Sequence, residues 1–143
     1  MKFHAIFLTL LLSSVTHATE ISVEGKKYIA HQVATYMEKG ANGMIEFYLA
    51  GGPAMDEKSA NEIISGMAQL ESMCGKPVGF SVKKIVGITE NTANAFFVID
   101  LEKCPVFFRQ VLYRTKSGKV IAANFYMHTQ PEQVWPNEII YQH

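Results

Sequence analysis

Two cysteines carry the most specific chemistry in the sequence. Cys74 lies in ESMCGKPVGF and Cys104 in DLEKCPVFFR, 30 positions further along. No C-x-x-C redox motif is present, and two cysteines alone make a poor zinc site. An even pair of cysteines is typical of a disulfide in an exported protein. We therefore predict a Cys74–Cys104 disulfide, worth about 3–4 kcal/mol on the chain-entropy model.

Groups for acid–base or metal chemistry are few. Beyond the first 18 residues the histidines are His31, His128 and His143, without the spacing of a metal-binding motif. There is no G-x-S-x-G motif, and the AGGP stretch at 50–53 is typical of a helix stop. We therefore identify no catalytic residue, no metal site and no cofactor, and we favour a protein that is not an enzyme.

Two acid–base pairs are conceivable on the sheet that the sequence predicts. Asp100 could lie beside Arg109, and His128 beside Tyr126. Such a pair needs a closed, water-poor pocket to tune its pKa. The strand pattern places both pairs on the face away from the helices, so we expect solvated or partner-bound polar groups there.

The first 18 residues, MKFHAIFLTLLLSSVTHA, have the features of a secretory signal peptide. Lys2 begins an apolar run, and Thr16 and Ala18 are small residues at the −3 and −1 positions of a cleavage site. A transmembrane anchor would need a longer apolar run, and the alternative is an N-terminal helix of the fold. We predict a signal peptide over 1–18, a single domain over 19–143, and a periplasmic or secreted location.

The charge balance argues against nucleic acid as a partner. The chain has 13 basic and 13 acidic residues and a formal net charge of +0. Proteins that bind nucleic acid show basic stripes or patches, which this sequence lacks. The sequence contains no basic amphipathic helix of the kind that binds membrane surfaces. We also expect no membrane anchor after cleavage of the signal peptide.

A first amphipathic helix is predicted over residues 26–39, and its pattern resumes over 44–50. Glycine is a poor helix former, so Gly40 and Gly43 predict a kink or a break between these parts. The apolar stripe of the first part consists of Ile29, Val33, Tyr36 and Met37.

A second helix follows, with Ser59 and Glu62 as a capping box or Asp56 as a competing N-cap. Its apolar stripe ends at Cys74, in the last turn, and Gly75 then stops the helix.

From residue 79 the apolar period changes to two, which predicts strands. The short connections require antiparallel neighbours. The segment 89–94 is predicted as a turn, and the tail after residue 129 as mostly irregular, with Trp135 and Ile139–Ile140 folding back onto the body. The predicted strands are Phe80–Ile88, Ala95–Leu101, Val106–Thr115 and Val120–Thr129.

The strand register follows from the KSGK hairpin if Lys116 opposes Lys119. One sheet face is then apolar apart from Gln110, and a one-residue slip would scramble it. The expected inner pairs are Leu112 with Ala123, Gln110 with Phe125 and Phe108 with Met127; the outer pairs are Val111 with Asn124, Arg109 with Tyr126 and Phe107 with His128.

Helices followed by a meander predict an α+β fold, with N-terminal helices packed on a four-stranded antiparallel sheet and one disulfide. In element order, residues 20–129 resemble the cystatin-like and NTF2-like cone folds. The resemblance implies a curved sheet around the helical part. Such folds host enzymes, ligand binders and dimerisation modules, so it selects no function.

The outer sheet face combines aromatic rings with isolated polar groups, which favours a contact surface over a plain solvent face. Three explanations are open: a protein partner or homodimer, cover by the tail with Trp135, or a small-molecule pocket. The residues predicted to bind a partner are Phe96, Phe107, Arg109, Tyr113, Asn124, Tyr126 and His128.

These patterns favour an exported module that binds another protein, for example as an inhibitor or immunity-type protein. The alternative is an NTF2-like small-ligand binder or enzyme. It would require a cavity between the sheet and the first helix, with Gln110 and His31 as polar groups.

Overall fold

The computed structural model describes the backbone of residues 9–142 and the side chains of residues 20–142. Residues 1–8 of the predicted signal peptide lie outside the described residues, and the remainder of that segment is helical. The elements are α1 Thr9–Leu49, α2 Glu57–Cys74, β1 Pro77–Thr89, β2 Thr92–Leu101, β3 Pro105–Arg114, β4 Val120–His128, a 3₁₀ turn Pro131–Gln133 and α3 Asn137–Ile140.

The four strands form one antiparallel sheet in the order β1-β2-β3-β4, and α1 and α2 pack on one face of it. We call this the inner face, and the opposite one the outer face. The predicted α+β class is confirmed, because the apolar strand positions and the helix stripes bury one another.

Helix α1 is longer than the amphipathic pattern predicts, since its contacts with the sheet begin before residue 26. Ile21 is buried, and a Cβ on Gly25 would lie 2.6 Å from Leu112 Cδ1, so the absence of a side chain allows close packing. Arg114 holds the same end of the helix through ion pairs to Glu20 (3.1 Å) and Glu24 (2.9 Å).

The predicted kink or break in α1 is confirmed at Gly40, whose φ of 71° is a left-handed value that favours glycine. Gly40 divides α1 into two helical segments, and the Tyr28 ring of the first lies 5.1 Å from the Phe47 ring of the second. The expected stripe is buried at Ile29, Val33 and Tyr36. The prediction was wrong for Met37, which is exposed. Consecutive helix positions differ by about 100°, so Met37 lies beside the buried stripe.

Helix α2 begins at the competing N-cap. Asp56 accepts from the backbone N–H of Ser59 at 2.9 Å, and the predicted Ser59–Glu62 box is not formed. The helix ends at Cys74, whose predicted disulfide to Cys104 is present with a Cα–Cα distance of 5.4 Å. The link joins the end of α2 to the loop between β2 and β3.

The sheet differs from the prediction in several details. Strand β1 begins at Pro77 instead of Phe80, and Thr115, not Lys116, bonds to Lys119 across the β3–β4 hairpin. The turn is confined to Glu90 and Asn91, so residues 92–94 belong to β2. The register from Phe107–His128 to Val111–Asn124 is confirmed, but Leu112 pairs with Ala122 instead of Ala123. Ala123 is the extra residue of a β-bulge, and its carbonyl accepts from the Tyr48 hydroxyl of α1 at 3.3 Å.

The core lies between the inner face and α1, and Phe97 and Phe108 stack within it at 4.9 Å. The polar exception, Gln110, is 0% exposed and donates from Nε2 to Gln32 Oε1 at 3.1 Å. Gln32, on α1, is 4% exposed. A buried amide needs such a partner, so this bond joins helix and sheet at a defined position.

Candidate partner-binding surface

The outer face of β2, β3 and β4 carries the residues that the sequence predicted as a contact surface. Strand alternation brings Arg109 opposite Phe96 on one side and Tyr126 on the other. The face divides into two parts, because the C-terminal tail (residues 129–142) covers one of them.

Trp135 anchors the tail on the sheet. Its ring meets Phe107 edge-on at 5.1 Å and Phe96 at 6.3 Å. Its Nε1–H donates to the Phe108 carbonyl at 2.8 Å, which satisfies the one polar group of a buried indole. Ile139 completes this second, smaller apolar cluster.

The tail then reaches the opposite edge of the sheet at β1. Lys83 Nζ donates to the Gln142 carbonyl at 3.2 Å, and Lys84 Nζ donates to Gln142 Oε1 at 2.5 Å. The predicted return of Trp135 and Ile139–Ile140 onto the body is confirmed. Phe96 is 3% exposed and Phe107 is half-buried, so the tail competes with any partner for these two rings.

The uncovered part of the outer face, which we call the open patch, is centred on Tyr126. This tyrosine is 44% exposed, and the Arg109 guanidinium carbon lies 4.5 Å from its ring centroid. The Asn124 amide donates to the Tyr126 hydroxyl at 3.0 Å. The open patch comprises Arg109, Val111, Tyr113, Asn124, Tyr126 and His128.

Arg109 and Tyr126, predicted as an outer pair, therefore form a cation–π contact, which is worth about 0.5–1 kcal/mol at an exposed site. The Arg109 Nε is buried and has no hydrogen-bond partner among the described residues. Tyr126 is held from both sides, by the guanidinium on its ring and by the amide at its hydroxyl. Both contacts restrain the ring.

The bulge at Ala123 changes the far end of the open patch. Tyr113, which is 39% exposed, lies opposite Ile121. Nothing in the local sequence marks this bulge, so Ile121 could not be predicted as a neighbour of the patch.

The structure does not assemble the first acid–base pair considered from the sequence. Asp100 lies opposite Pro105, whereas Arg109 lies opposite Phe96, four positions before Asp100 in β2. Asp100 and Arg109 are therefore not neighbours, because each strand residue adds about 3.3 Å.

His128 shares the outer face with Tyr126, two positions away on β4. Its Nδ1 accepts from the backbone N–H of Gln130 at 3.0 Å, so the ring caps the start of the tail. His143 lies outside the described residues.

The polar groups suggested for a sheet–helix cavity are also separated. Gln110 is engaged by Gln32 in the core, while His31 is exposed on α1 with its ring 4.9 Å from that of Phe47. Gln110 does not line the pocket that contains His31.

Residues 9–142 contain no helix long and apolar enough to cross a membrane. Among residues 20–142, whose side chains the structure describes, no group of three or more His, Cys, Asp and Glu residues is arranged to hold a metal ion.

Two tyrosines with shifted pKa values lie on α1 and not in the open patch. Burial raises the pKa of Tyr28 to about 12, with partial compensation from the backbone of Ala122. Burial and the hydrogen bond to Glu71 raise the pKa of Tyr36 well above its usual value. Both shifts favour the neutral phenol.

Comparison with known proteins identifies no relative, since no family model, curated protein or solved structure matches the chain. The cystatin-like or NTF2-like resemblance stays a prediction from element order.

Proposed function

We propose that this protein is an exported, non-enzymatic module that binds another protein through the open patch. The observation that carries the proposal is the pair of exposed tyrosines on a rigid sheet, with Arg109 stacked on one of them. Tyrosine and arginine are enriched at binding hot spots, where they cover a large area with few rotatable bonds.

The state of the patch before binding supports the proposal. Tyr126 is positioned by Arg109 and Asn124, so little side-chain entropy remains to be lost when a partner docks. The patch lies on two hydrogen-bonded strands, which are stiffer than loops. A partner would therefore meet a preformed surface.

Charge selects the chemistry of the partner. Arg109 is the cation at the centre of the patch, and its guanidinium can take a carboxylate in two parallel hydrogen bonds. We therefore expect a partner that places an Asp or Glu against Arg109 and an apolar rim against the tyrosines. An inhibitor or immunity-type role toward an envelope-acting protein, in the periplasm or outside the cell, fits this surface and the predicted signal peptide.

The test has two steps. The protein is used to capture partners from envelope extract, and a captured protein is then purified and titrated against it by calorimetry. We expect Arg109→Glu and Tyr126→Ala each to weaken binding at least tenfold, because both alter the centre of the patch. Tyr141→Ala is the matched control, since Tyr141 is 64% exposed but lies in the tail.

Unchanged affinity in both patch variants, with folding intact by circular dichroism, would exclude the open patch as the interface. Light scattering at several protein concentrations measures the molar mass and so tests whether the protein forms a homodimer. Self-association that Arg109→Glu abolishes would replace the foreign partner with a second copy of this chain.

A further inference from the structure

An apolar pocket of about 400 Å³ lies on the helix side of the molecule, where α1 ends near the start of β4. Its wall is aromatic, with the Phe47 ring 5.1 Å from the Tyr28 ring and 4.9 Å from the His31 ring. Both contacts are tilted, at 51° and 50°, so the rings form a wall and not a flat stack. Ala50 and Gly51 complete the lining.

Two lysines line this pocket. Lys27 comes from α1 and Lys119 from the β3–β4 hairpin, and no acidic side chain is among the described residues that line the pocket. Within residues 20–142, neither ammonium group forms an ion pair. Lys119 Nζ lies so near Gly51 that a Cβ there would come within 2.9 Å of it.

A second concavity, of about 710 Å³, differs from this pocket in its position and in the chemistry of its lining. It follows the exposed side of α2, and all its lining residues lie within residues 57–69 of that one helix. They are mainly polar, and acidic and basic groups are mixed. The smaller pocket has the features of a ligand site, which are an apolar wall and a few convergent polar groups.

We propose that the pocket between α1 and Lys119 binds a small organic monoanion with a flat aromatic body, such as an aryl carboxylate. The aromatic wall would contact the ring system, and Lys27 and Lys119 would hold the negative group from two sides. A volume of about 400 Å³ suits a ligand of one or two fused rings. The pocket lies on the helix side of the sheet, so this inference is independent of the open patch.

The probe is 2-naphthoate, titrated into the purified protein by calorimetry and by backbone amide NMR. We expect a dissociation constant on the order of 1 mM or tighter, given the efficiency typical of ligands of this size. Amide shifts should concentrate at residues 27–31, 47–51 and 119. The neutral analogue 2-naphthylmethanol should bind at least five times more weakly, because it lacks the charge.

Variants of the two lysines distinguish recognition of the anion from non-specific apolar binding. Lys27→Met combined with Lys119→Met should weaken 2-naphthoate about five- to tenfold and leave 2-naphthylmethanol unchanged, since each exposed charge contributes modestly. Lys58→Met is the control, because Lys58 is a highly exposed lysine on α2. All three positions are exposed, so folding should survive.

Decanoate tests the shape of the apolar body and should bind more weakly than 2-naphthoate. Three outcomes would overturn the proposal. They are no detectable binding at 2-naphthoate concentrations up to about 5 times the expected dissociation constant, equal affinity for the anion and the alcohol, or amide shifts that map away from the pocket. Tighter binding of decanoate would overturn the aromatic part of the assignment.

Discussion

The buried hydrogen bond between Gln110 and Gln32 allows a sharp prediction about stability. Gln110 is 0% exposed, its Nε2 is paired, and its Oε1 already has no partner in the described part of the chain. Replacing Gln32 by Leu leaves the whole Gln110 amide unsatisfied inside the core. A buried group that loses its partner costs about 1–3 kcal/mol, and we expect Gln32→Leu to lower the free energy of unfolding by that amount.

Replacing the other member of the pair, Gln110, should lower the free energy of unfolding less. Gln110→Leu leaves Gln32 Oε1 without its donor, but it also removes the Gln110 oxygen that has no partner in the native protein. Leucine is close to glutamine in volume, so the cavity and overpacking contributions are small. The two effects oppose each other, and we expect a change within about 1 kcal/mol.

The double variant decides whether the reasoning holds. With both amides replaced, no buried polar group is left at this point, and an apolar pair of similar shape should be neutral or stabilising. The double variant should therefore be more stable, by at least about 1 kcal/mol, than the sum of the two single-variant changes in unfolding free energy predicts.

The assay is urea denaturation, followed by Trp135 fluorescence and by circular dichroism, for the wild type, both single variants and the double variant. Gln69→Leu is the control on an exposed helix position and should stay within about 0.5 kcal/mol of wild type. Additive single effects, or a Gln110→Leu variant as unstable as Gln32→Leu, would refute the account.

Two further predictions concern the disulfide and alkaline stability. Replacing Cys74 and Cys104 by serine should lower the free energy of unfolding by about 3–4 kcal/mol, because the link closes a 30-residue loop; a loss below about 1 kcal/mol in urea denaturation would contradict this. Burial raises the pKa of Tyr28 to about 12, whereas an unfolded tyrosine ionises near 10. The unfolded state then loses its proton first, so this contribution to stability is complete below about pH 10 and declines between about pH 10 and 12. Thermal melts should show a shallower alkaline decline for Tyr28→Phe than for wild type, and identical profiles would argue against the shift.

Regular patterns in the sequence predicted the elements that have a strong period. The spacing of Ile29, Val33 and Tyr36 predicted the buried side of α1, and strand alternation predicted the pairing from Phe107 to Val111. These inferences succeeded because each depends on a repeat of 3.6 or 2 residues and on the burial of one face. The disulfide was predicted from cysteine number and compartment, which also require no tertiary information.

Irregular features were not accessible in this way. The bulge at Ala123 bonds to Tyr48, which is 75 positions away in sequence, and the sequence around the bulge carries no glycine to mark it. The pairing of Gln110 with Gln32, 78 positions apart, is equally non-local. Long-range contacts of single side chains leave no period in the sequence.

The outer face shows the same division most clearly. The sequence by itself determined that this face is aromatic, that it includes Arg109 and Tyr126 as neighbours, and that a tail with Trp135 is available to cover it. Only the tertiary structure decided that Trp135 packs on Phe96 and Phe107 and leaves Tyr126 exposed. The physical reason is that apolar burial has no direction, so a tail and a partner protein can satisfy the same rings. The choice depends on where the chain leaves β4 and on the Trp135 bond to the Phe108 carbonyl, which only the folded geometry provides.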